Sequence, residues 1–180
     1  MKRIFWIVPA ILLLSISARA QEQATPAWEI SGGYSYLKAN LGSSSFHLNG
    51  GVASATENLN NWFGGRFELT AYQGTEAGQS VSAQTFTYGP VFSYRRLRNI
   101  TPFAKIQLGA IHGSEGYLGI SKNAIKLAMV GGGGVDVRIN KMASIRLQGD
   151  YLMTRFLTLD QNNIQGSVGL VLRFGKKANW

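Results

Sequence analysis

Apolar and polar residues alternate with a period of two along most of the chain after residue 27. Between Trp28 and Tyr36, one parity carries aromatic, aliphatic or glycine residues and the other carries polar or small ones. This alternation indicates strands with two unlike faces. Eight segments show it, the second more weakly than the others: 28–36, 46–58, 62–72, 84–94, 102–112, 124–139, 144–154 and 164–174. No window in this part of the chain holds the roughly 18 apolar residues of a membrane helix, so the pattern predicts an all-β protein.

The segments between these strands alternate in length. Short turns are predicted near 58–61, 95–101 and 140–143, and longer polar loops at 38–45, 73–83, 113–123 and 155–163. An even number of strands with short turns at one end and longer loops at the other is typical of single-chain outer-membrane barrels, whose termini are periplasmic. We therefore predict an eight-stranded antiparallel up-and-down transmembrane β-barrel over 28–175. A short periplasmic segment at 21–27 precedes it, and a tail at 176–180 follows it.

Charged residues within the predicted strands occupy the parity opposite to the apolar residues. A lipid-facing Arg or Lys at the bilayer midplane costs about 2–4 kcal/mol, so these side chains are expected to point inward. The interior of an eight-stranded barrel is only wide enough for its own side chains, which favours a lumen filled with ion pairs. The residues predicted to form this network are Arg66, Glu68, Asp136, Arg138, Arg146, Asp150 and Arg173.

The strand pattern alone also fits a soluble β-sandwich, whose charged faces would meet water. Aromatic residues near the strand ends favour the membrane, because such rings form girdles at the two membrane interfaces. The predicted girdle residues are Trp28, Tyr36, Trp62, Tyr94, Tyr151 and Phe174.

The first twenty residues have the layout of a secretory signal peptide. Lys2 and Arg3 precede an apolar stretch over 4–14, and Ala18-Arg19-Ala20 provides a small-x-small cleavage site. The stretch of 11 residues is shorter than the roughly 20 that a membrane helix needs. We expect cleavage after Ala20, export and residence in the bacterial outer membrane.

Composition agrees with an exported barrel and excludes several kinds of site. Only 15% of residues are charged, against about 25% in typical domains, and the formal charge is +9. Loss of three basic residues with the signal peptide leaves +6, and no basic stripe indicates nucleic-acid binding. With no Cys and two His, we expect no metal site and no cofactor. Several of the remaining basic residues are predicted on the periplasmic edge: Arg95, Arg96, Arg98, Lys141, Lys176 and Lys177.

The chain resembles small OmpA/OmpX-like outer-membrane β-barrels in their single-domain version. The resemblance covers about 28–175 and rests on the segments 31–36, 58–62, 88–95, 101–104, 133–141, 145–156 and 169–175. It implies insertion among outer-membrane lipids and lipopolysaccharide as a monomer. It also implies recognition by the outer-membrane assembly machinery of a final strand that ends in an aromatic residue. Phe174 matches that role, and Trp180 is the alternative signal because the chain continues past Phe174.

One short motif suggests an enzyme as an alternative. His112, Ser114 and Glu115 are similar to the His-x-Ser pair and Glu of outer-membrane lipid A deacylases, in which an activated serine is the nucleophile. The acidic residue of that family is placed about a dozen positions further on, where this chain has Lys126, so the group that orients the histidine is missing. We therefore predict a non-enzymatic structural or surface-interaction role. A lipid-modifying enzyme and a narrow solute or ion channel are the alternatives.

Overall fold

The computed structural model describes residues 25–41, 44–76, 79–113, 125–156 and 159–176. These residues form eight strands: β1 (Trp28–Leu41), β2 (Ser44–Asn58), β3 (Phe63–Glu76), β4 (Gln79–Ser93), β5 (Ile100–Gly113), β6 (Ile125–Arg138), β7 (Ala143–Phe156) and β8 (Leu159–Phe174). Each strand pairs antiparallel with the next, and β8 pairs with β1, so the sheet closes into a barrel. The predicted all-β, eight-stranded antiparallel barrel is therefore confirmed. Among the described residues, no helix is long and apolar enough to cross a membrane.

The strands are longer than the sequence pattern indicated. They contain 14 to 16 residues, whereas about 9–11 residues suffice to cross a bilayer. The predicted loops at 38–45, 73–83 and 155–163 are wrong in extent, because only 42–43, 77–78 and 157–158 separate the strands there. The ladder bonds come from the backbone, so polar residues pair as well as apolar ones. Of the predicted loop at 113–123, all but Gly113 lies outside the described residues.

Lys38 illustrates the same correction. It is the first residue of the predicted loop at 38–45, yet it lies on β1 directly opposite His47 of β2. The ring of His47 stacks on that of Tyr36, with centroids 5.6 Å apart, and the Tyr36 hydroxyl is hydrogen-bonded to Nδ1 of His47.

The strands are staggered around the ring. The paired residues, traced from Trp28 through all eight strands, lead back to β1 at Lys38, ten residues further along. Such a shift goes with strands that tilt by roughly 35–45° from the barrel axis. As a result, residues from strands far apart in sequence share one level of the interior.

Pro90 interrupts the ladder on one side only. It pairs with Gly65 of β3, but the pairing of β4 with β5 stops after Tyr88 and resumes at Val91 in the same register. Proline has no N–H to donate, so it breaks the ladder locally, and the unchanged register shows that no bulge is present.

The end of the barrel that holds both described chain ends, here called the termini rim, carries the connections 59–62, 94–99 and 139–142. Two of these turns are built alike. Oδ1 of Asn60 accepts hydrogen bonds from the backbone N–H groups of Trp62 and Phe63, and Asn140 does the same for Met142 and Ala143. Asparagine favours such turns because its side chain can bond to the backbone just ahead of it. The other end is called the opposite rim.

Candidate functional site: the barrel interior

The centre of the barrel holds an ion cluster built from three strands. Nζ of Lys105 on β5 lies 2.7 Å from Oε1 of Glu68 on β3 and 3.2 Å from Oδ2 of Asp150 on β7. Nε2 of Gln148 donates to the same Asp150 oxygen at 2.7 Å and reaches Glu68 at 3.3 Å. All four side chains are buried. One ammonium group therefore bridges two carboxylates across the lumen, which neutralises part of their charge where water is scarce.

A second cluster lies nearer the termini rim and is formed around two carboxylates. Arg146 binds Asp136 with two bonds, Nε to Oδ1 at 2.7 Å and Nη2 to Oδ2 at 2.8 Å. Glu29 lies 3.0 Å from Arg95, 3.4 Å from Arg146 and 3.5 Å from Arg173. The paired geometry at Asp136 is the strong, planar form of an arginine–carboxylate contact. Cations outnumber carboxylates in this cluster.

An aromatic ring connects the two clusters. The guanidinium carbons of Arg66 and Arg146 lie 4.6 and 4.7 Å from the centroid of the Phe103 ring. Nε of Arg66 also donates to Thr56 at 2.9 Å, and its Nη1 reaches Gln148 at 3.4 Å. A ring between two cations attracts both through its π faces, so it allows two buried arginines to share one level.

The glycine run of β6 makes room for these side chains. A Cβ atom on Gly132 would lie 2.1 Å from Oδ1 of Asp150, and one on Gly134 would lie 2.1 Å from the backbone oxygen of Leu147 and 3.0 Å from Cζ of Phe103. At Gly131, whose position on the strand faces outward, a Cβ would meet nothing within 4 Å. The run therefore lies against bulky interior neighbours at Gly132 and Gly134.

Towards the opposite rim the interior becomes apolar. One buried cluster contains Leu37, Leu48 and Tyr72, and a second contains Ala83, Ile111, Ala128, Val130 and Leu152. These residues share the inward parity with the charged groups. The lumen thus holds ion pairs in its middle and towards the termini rim. The residues of these two apolar clusters, towards the other end, are called the apolar layer.

The structure places most of the predicted network inside. Arg66, Glu68, Asp136, Arg146, Asp150 and Arg173 are buried, whereas Arg138 is half-buried at the termini rim. The ion pairs at Glu68, Asp136 and Asp150 join residues of different strands. Glu68 and Asp150 bind Lys105, and Asp136 binds Arg146.

Sequence reasoning missed several members of the network. Glu29 and Lys105 carry the inward parity of their strands, and that signal could have identified them. Gln148 and Phe103 were equally identifiable as inward by parity, but nothing in the sequence indicates which groups they contact. Arg95 lies in the turn after β4, where no parity applies, and it reaches into the barrel to Glu29 and Asn58.

The predicted girdle aromatics lie on the outside. Trp28, Tyr36, Trp62, Tyr94 and Phe174 are 40–58% exposed, and Tyr151 is half-buried on an outward position. Trp62 stacks on Phe92, with centroids 6.0 Å apart, next to the termini rim.

The alternative catalytic motif is only partly described. His112 lies on the outer face of β5 and is exposed, with Gln84 and Ile125 as its paired neighbours on β4 and β6. Neither neighbour carries a carboxylate that could orient an imidazole for catalysis. Ser114 and Glu115 lie outside the described residues. Within the part of the chain that the structure describes, no group of three or more acidic or histidine side chains could hold a metal ion.

Comparisons with known proteins agree with this architecture. The family model for the outer membrane protein beta-barrel domain matches residues 8–174. No curated protein matches the chain. The fold is similar to that of Neisserial surface protein A, at 14% identity over 82% of this chain and 97% of that one, with a TM-score of 0.70.

Two further solved structures share the fold. Ail, the attachment invasion locus protein of Yersinia pestis, is 16% identical over 83% of this chain and 100% of its own, with a TM-score of 0.56. The outer membrane protein OprG from Pseudomonas aeruginosa is 10% identical over 84% of this chain and 98% of its own, with a TM-score of 0.57. Identities this low indicate a common fold and nothing about activity.

Proposed function

Since the chain belongs to the outer membrane protein beta-barrel domain family, we propose that it is a non-enzymatic integral protein of the bacterial outer membrane with a structural or surface-interaction role. The observation that carries this proposal is the occupied interior. The charged side chains of the lumen are at most 8% exposed, and the apolar layer lies between them and the opposite rim. Water-filled channels occur in much wider barrels of about 16 strands.

The proposal includes an orientation. Residues 1–20 are removed as a signal peptide, the termini rim faces the periplasm, and the opposite rim with the segment 114–124 faces the outside. The extended strands support an exposed role, because they carry polar ladders beyond the length that a bilayer requires. Two of the similar barrels are named a surface protein and an attachment protein, which agrees with a surface-interaction role.

The barrel is proposed to act as a monomer among outer-membrane lipids and lipopolysaccharide. The aromatic end of β8 at Phe174 is proposed to engage the assembly machinery. Phe174 ends its strand on an outward position and is 42% exposed, so its ring is accessible to a binding partner.

Planar-bilayer recording tests the closed lumen against the channel alternative. We expect the wild-type protein to show no discrete conductance step, because buried charged and apolar side chains occupy the interior. Arg66→Ala/Tyr72→Ala shortens two of the largest fully buried side chains, one in the ion network and one in the apolar layer, and should produce brief steps. A wide porin serves as the positive control. Reproducible steps from the wild-type protein would overturn the proposal of a closed lumen.

A further inference from the structure

The residues just before β1, 25–27, pack against the termini rim and are called the strap. Thr25 is 1% exposed, Pro26 is buried, and Pro26 forms part of the wall of a cavity of about 600 Å³ that opens at this rim. Residues ahead of the first strand of a domain are usually poorly ordered unless they are tied down. The burial of the strap therefore requires specific contacts with the rim.

Asn58, the last residue of β2, holds the strap by two bonds. Its backbone N–H donates to the carbonyl oxygen of Ala27 at 2.9 Å, and its side-chain Nδ2 donates to the carbonyl oxygen of Pro26 at 2.9 Å. The hydroxyl of Thr25 donates to Oδ1 of Asn61, in the turn after β2, at 2.5 Å. Pro26 has no N–H with which to continue the β1–β2 ladder, so asparagine side chains supply the bonds beyond Ala27.

The same asparagine joins the strap to the second ion cluster. Oδ1 of Asn58 accepts a hydrogen bond from Nη2 of Arg95 at 2.8 Å, and Nη1 of Arg95 donates to Oε1 of Glu29 at 3.0 Å. Gly64, the ladder partner of Asn58, leaves room for this side chain. A Cβ on Gly64 would lie 2.5 Å from the backbone oxygen of Glu57 and 3.3 Å from Oδ1 of Asn58. Both polar atoms of the buried amide are thus in use, the nitrogen by the strap and the oxygen by the cluster.

The strap also contacts the end of the last strand. Gly175, directly after β8, has a φ of 68°, a conformation that favours glycine. A Cβ on Gly175 would lie 3.0 Å from Cβ of Ala27. The strap is therefore packed on both sides, against the end of β8 and against the turn after β2, next to the β1–β8 pairing that closes the sheet.

We propose that the strap closes the mouth of the barrel over the second ion cluster, and that Asn58 is the residue that holds it there. Next to the strap, the Glu29 and Arg95 side chains are 2% and 8% exposed, and water at this end would weaken their attraction. The strap is held by the few bonds described above, whereas the strands are paired along their length, so it can open locally while the barrel stays folded. The inference concerns this mouth alone and depends neither on the orientation of the barrel nor on its conductance.

The test measures how fast a thiol inside the mouth reacts in the full-length barrel in detergent. Thr56→Cys places the thiol on β2 directly opposite Glu29, at a position that is 1% exposed and two residues from Asn58. The chain has no cysteine of its own, so this thiol alone reacts. Methyl methanethiosulfonate, a small uncharged reagent, is added, and the mass of the protein is followed over time.

Two matched substitutions in this background separate the strap from the general charge of the rim. Asn58→Asp keeps an oxygen for Arg95 and replaces the amide that donates to Pro26 with a carboxylate oxygen, which repels the Pro26 carbonyl. The control, Asn99→Asp, makes the same exchange at an exposed asparagine of the turn 94–99 on the same rim. A heat-dependent gel shift verifies that each variant is folded.

We expect Asn58→Asp to raise the reaction rate of the thiol at least about tenfold, because loss of the bond increases the fraction of time for which the strap is open. Asn99→Asp should leave the rate unchanged. Thr25→Ala removes the bond to Asn61 without altering Asn58, and it should raise the rate by a smaller factor.

Equal rates with Asn58→Asp and Asn99→Asp would overturn the proposal, since the strap would then have no specific effect on the mouth. A parent thiol that reacts as fast in the folded barrel as in the urea-unfolded chain would overturn it as well, because the mouth would already be open. If Asn58→Asp does not fold, the comparison of Thr25→Ala with Asn99→Asp decides in the same way.

Discussion

Lys105 is the residue on which the central ion cluster depends. It is the cation that contacts both Glu68 and Asp150, and all three side chains are buried. Removal of one partner from a buried ion pair leaves an uncompensated charge, which is more damaging than removal of the whole group. The same asymmetry makes the cluster testable by single and combined substitutions.

We expect Lys105→Met to lower the free energy of unfolding by about 3–5 kcal/mol, because two carboxylates would remain in the lumen without their cation. Lys105→Met/Glu68→Gln/Asp150→Asn should recover most of that loss, since no unpaired charge remains. Denaturant titration of the refolded protein in lipid vesicles measures both. Lys38→Met, an exposed lysine on β1, is the matched control and should change stability by less than about 0.5 kcal/mol. A triple variant as unstable as the single one would show that charge pairing is not the cause.

The face of the strand on which a residue lies was predictable from the sequence, but the residues that it contacts were not. Parity places Arg66, Glu68 and Asp150 inside because a strand alternates its side chains strictly. Their partners were not predictable, because Glu68, Lys105 and Asp150 lie on three different strands that meet only across the lumen. Asp136 and Arg146 are directly opposite each other in the β6–β7 ladder, a relation that requires the register to be known.

At the level of elements, β6 shows how a strand is shaped by what faces it. At Gly131 an added Cβ would meet nothing within 4 Å, whereas at the next three glycines it would collide with the backbone of β5 or β7, and at Gly132 also with Asp150 of the lumen network. Loss of side chains in a strand usually weakens it, so a glycine run here indicates close approach of a neighbour. The glycine run of β6 thus reflects how closely β5 and β7 approach it.

We expect Gly132→Ala to lower the free energy of unfolding by about 1–3 kcal/mol, because its Cβ must displace Asp150 from Lys105 and Gln148. Gly131→Ala, one residue earlier and facing outward, should leave stability unchanged or raise it by up to about 1 kcal/mol through the unfolded chain. Thermal or denaturant unfolding of the two variants in parallel provides the measurement. Equal destabilisation by both alanines would mean that strand geometry, and not the lumen, requires the glycines.

Strand existence was predictable where the two faces differ, and strand length was not. The alternation fades where both faces are polar, as around His47, yet the backbone ladder continues to Leu41 and from Ser44. Hydrophobic patterning reports only the part of a strand that faces lipid, because there the two faces meet different surroundings. The polar extensions therefore resembled loops in the sequence.

For the whole molecule, the rim that faces outward determines which residues a partner outside the cell can reach. The chain contains no cysteine, so a single introduced thiol reports the exposure of one rim. Lys141 lies in a turn of the termini rim, and Glu76 ends β3 at the opposite rim.

In intact cells, a membrane-impermeant maleimide should label Glu76→Cys and leave Lys141→Cys unlabelled, because the proposed orientation places the termini rim in the periplasm. After the outer membrane is permeabilised, both variants should react. Mass-shift gels of the labelled protein give the readout, and the cysteine-free wild type is the blank. Labelling of Lys141→Cys in intact cells would contradict the orientation.

The number of strands, their alternating faces and the inward position of most charged residues were predictable from the amino-acid pattern. These are local properties, since the face of each residue follows from its neighbours along one strand. The ten-residue stagger, the partners of each ion and the apolar layer became visible only in the folded barrel. Each of these depends on how the eight strands are aligned when the sheet closes. Closure brings together residues that are far apart in the sequence, and nothing in the local pattern predicts which of them will be in contact.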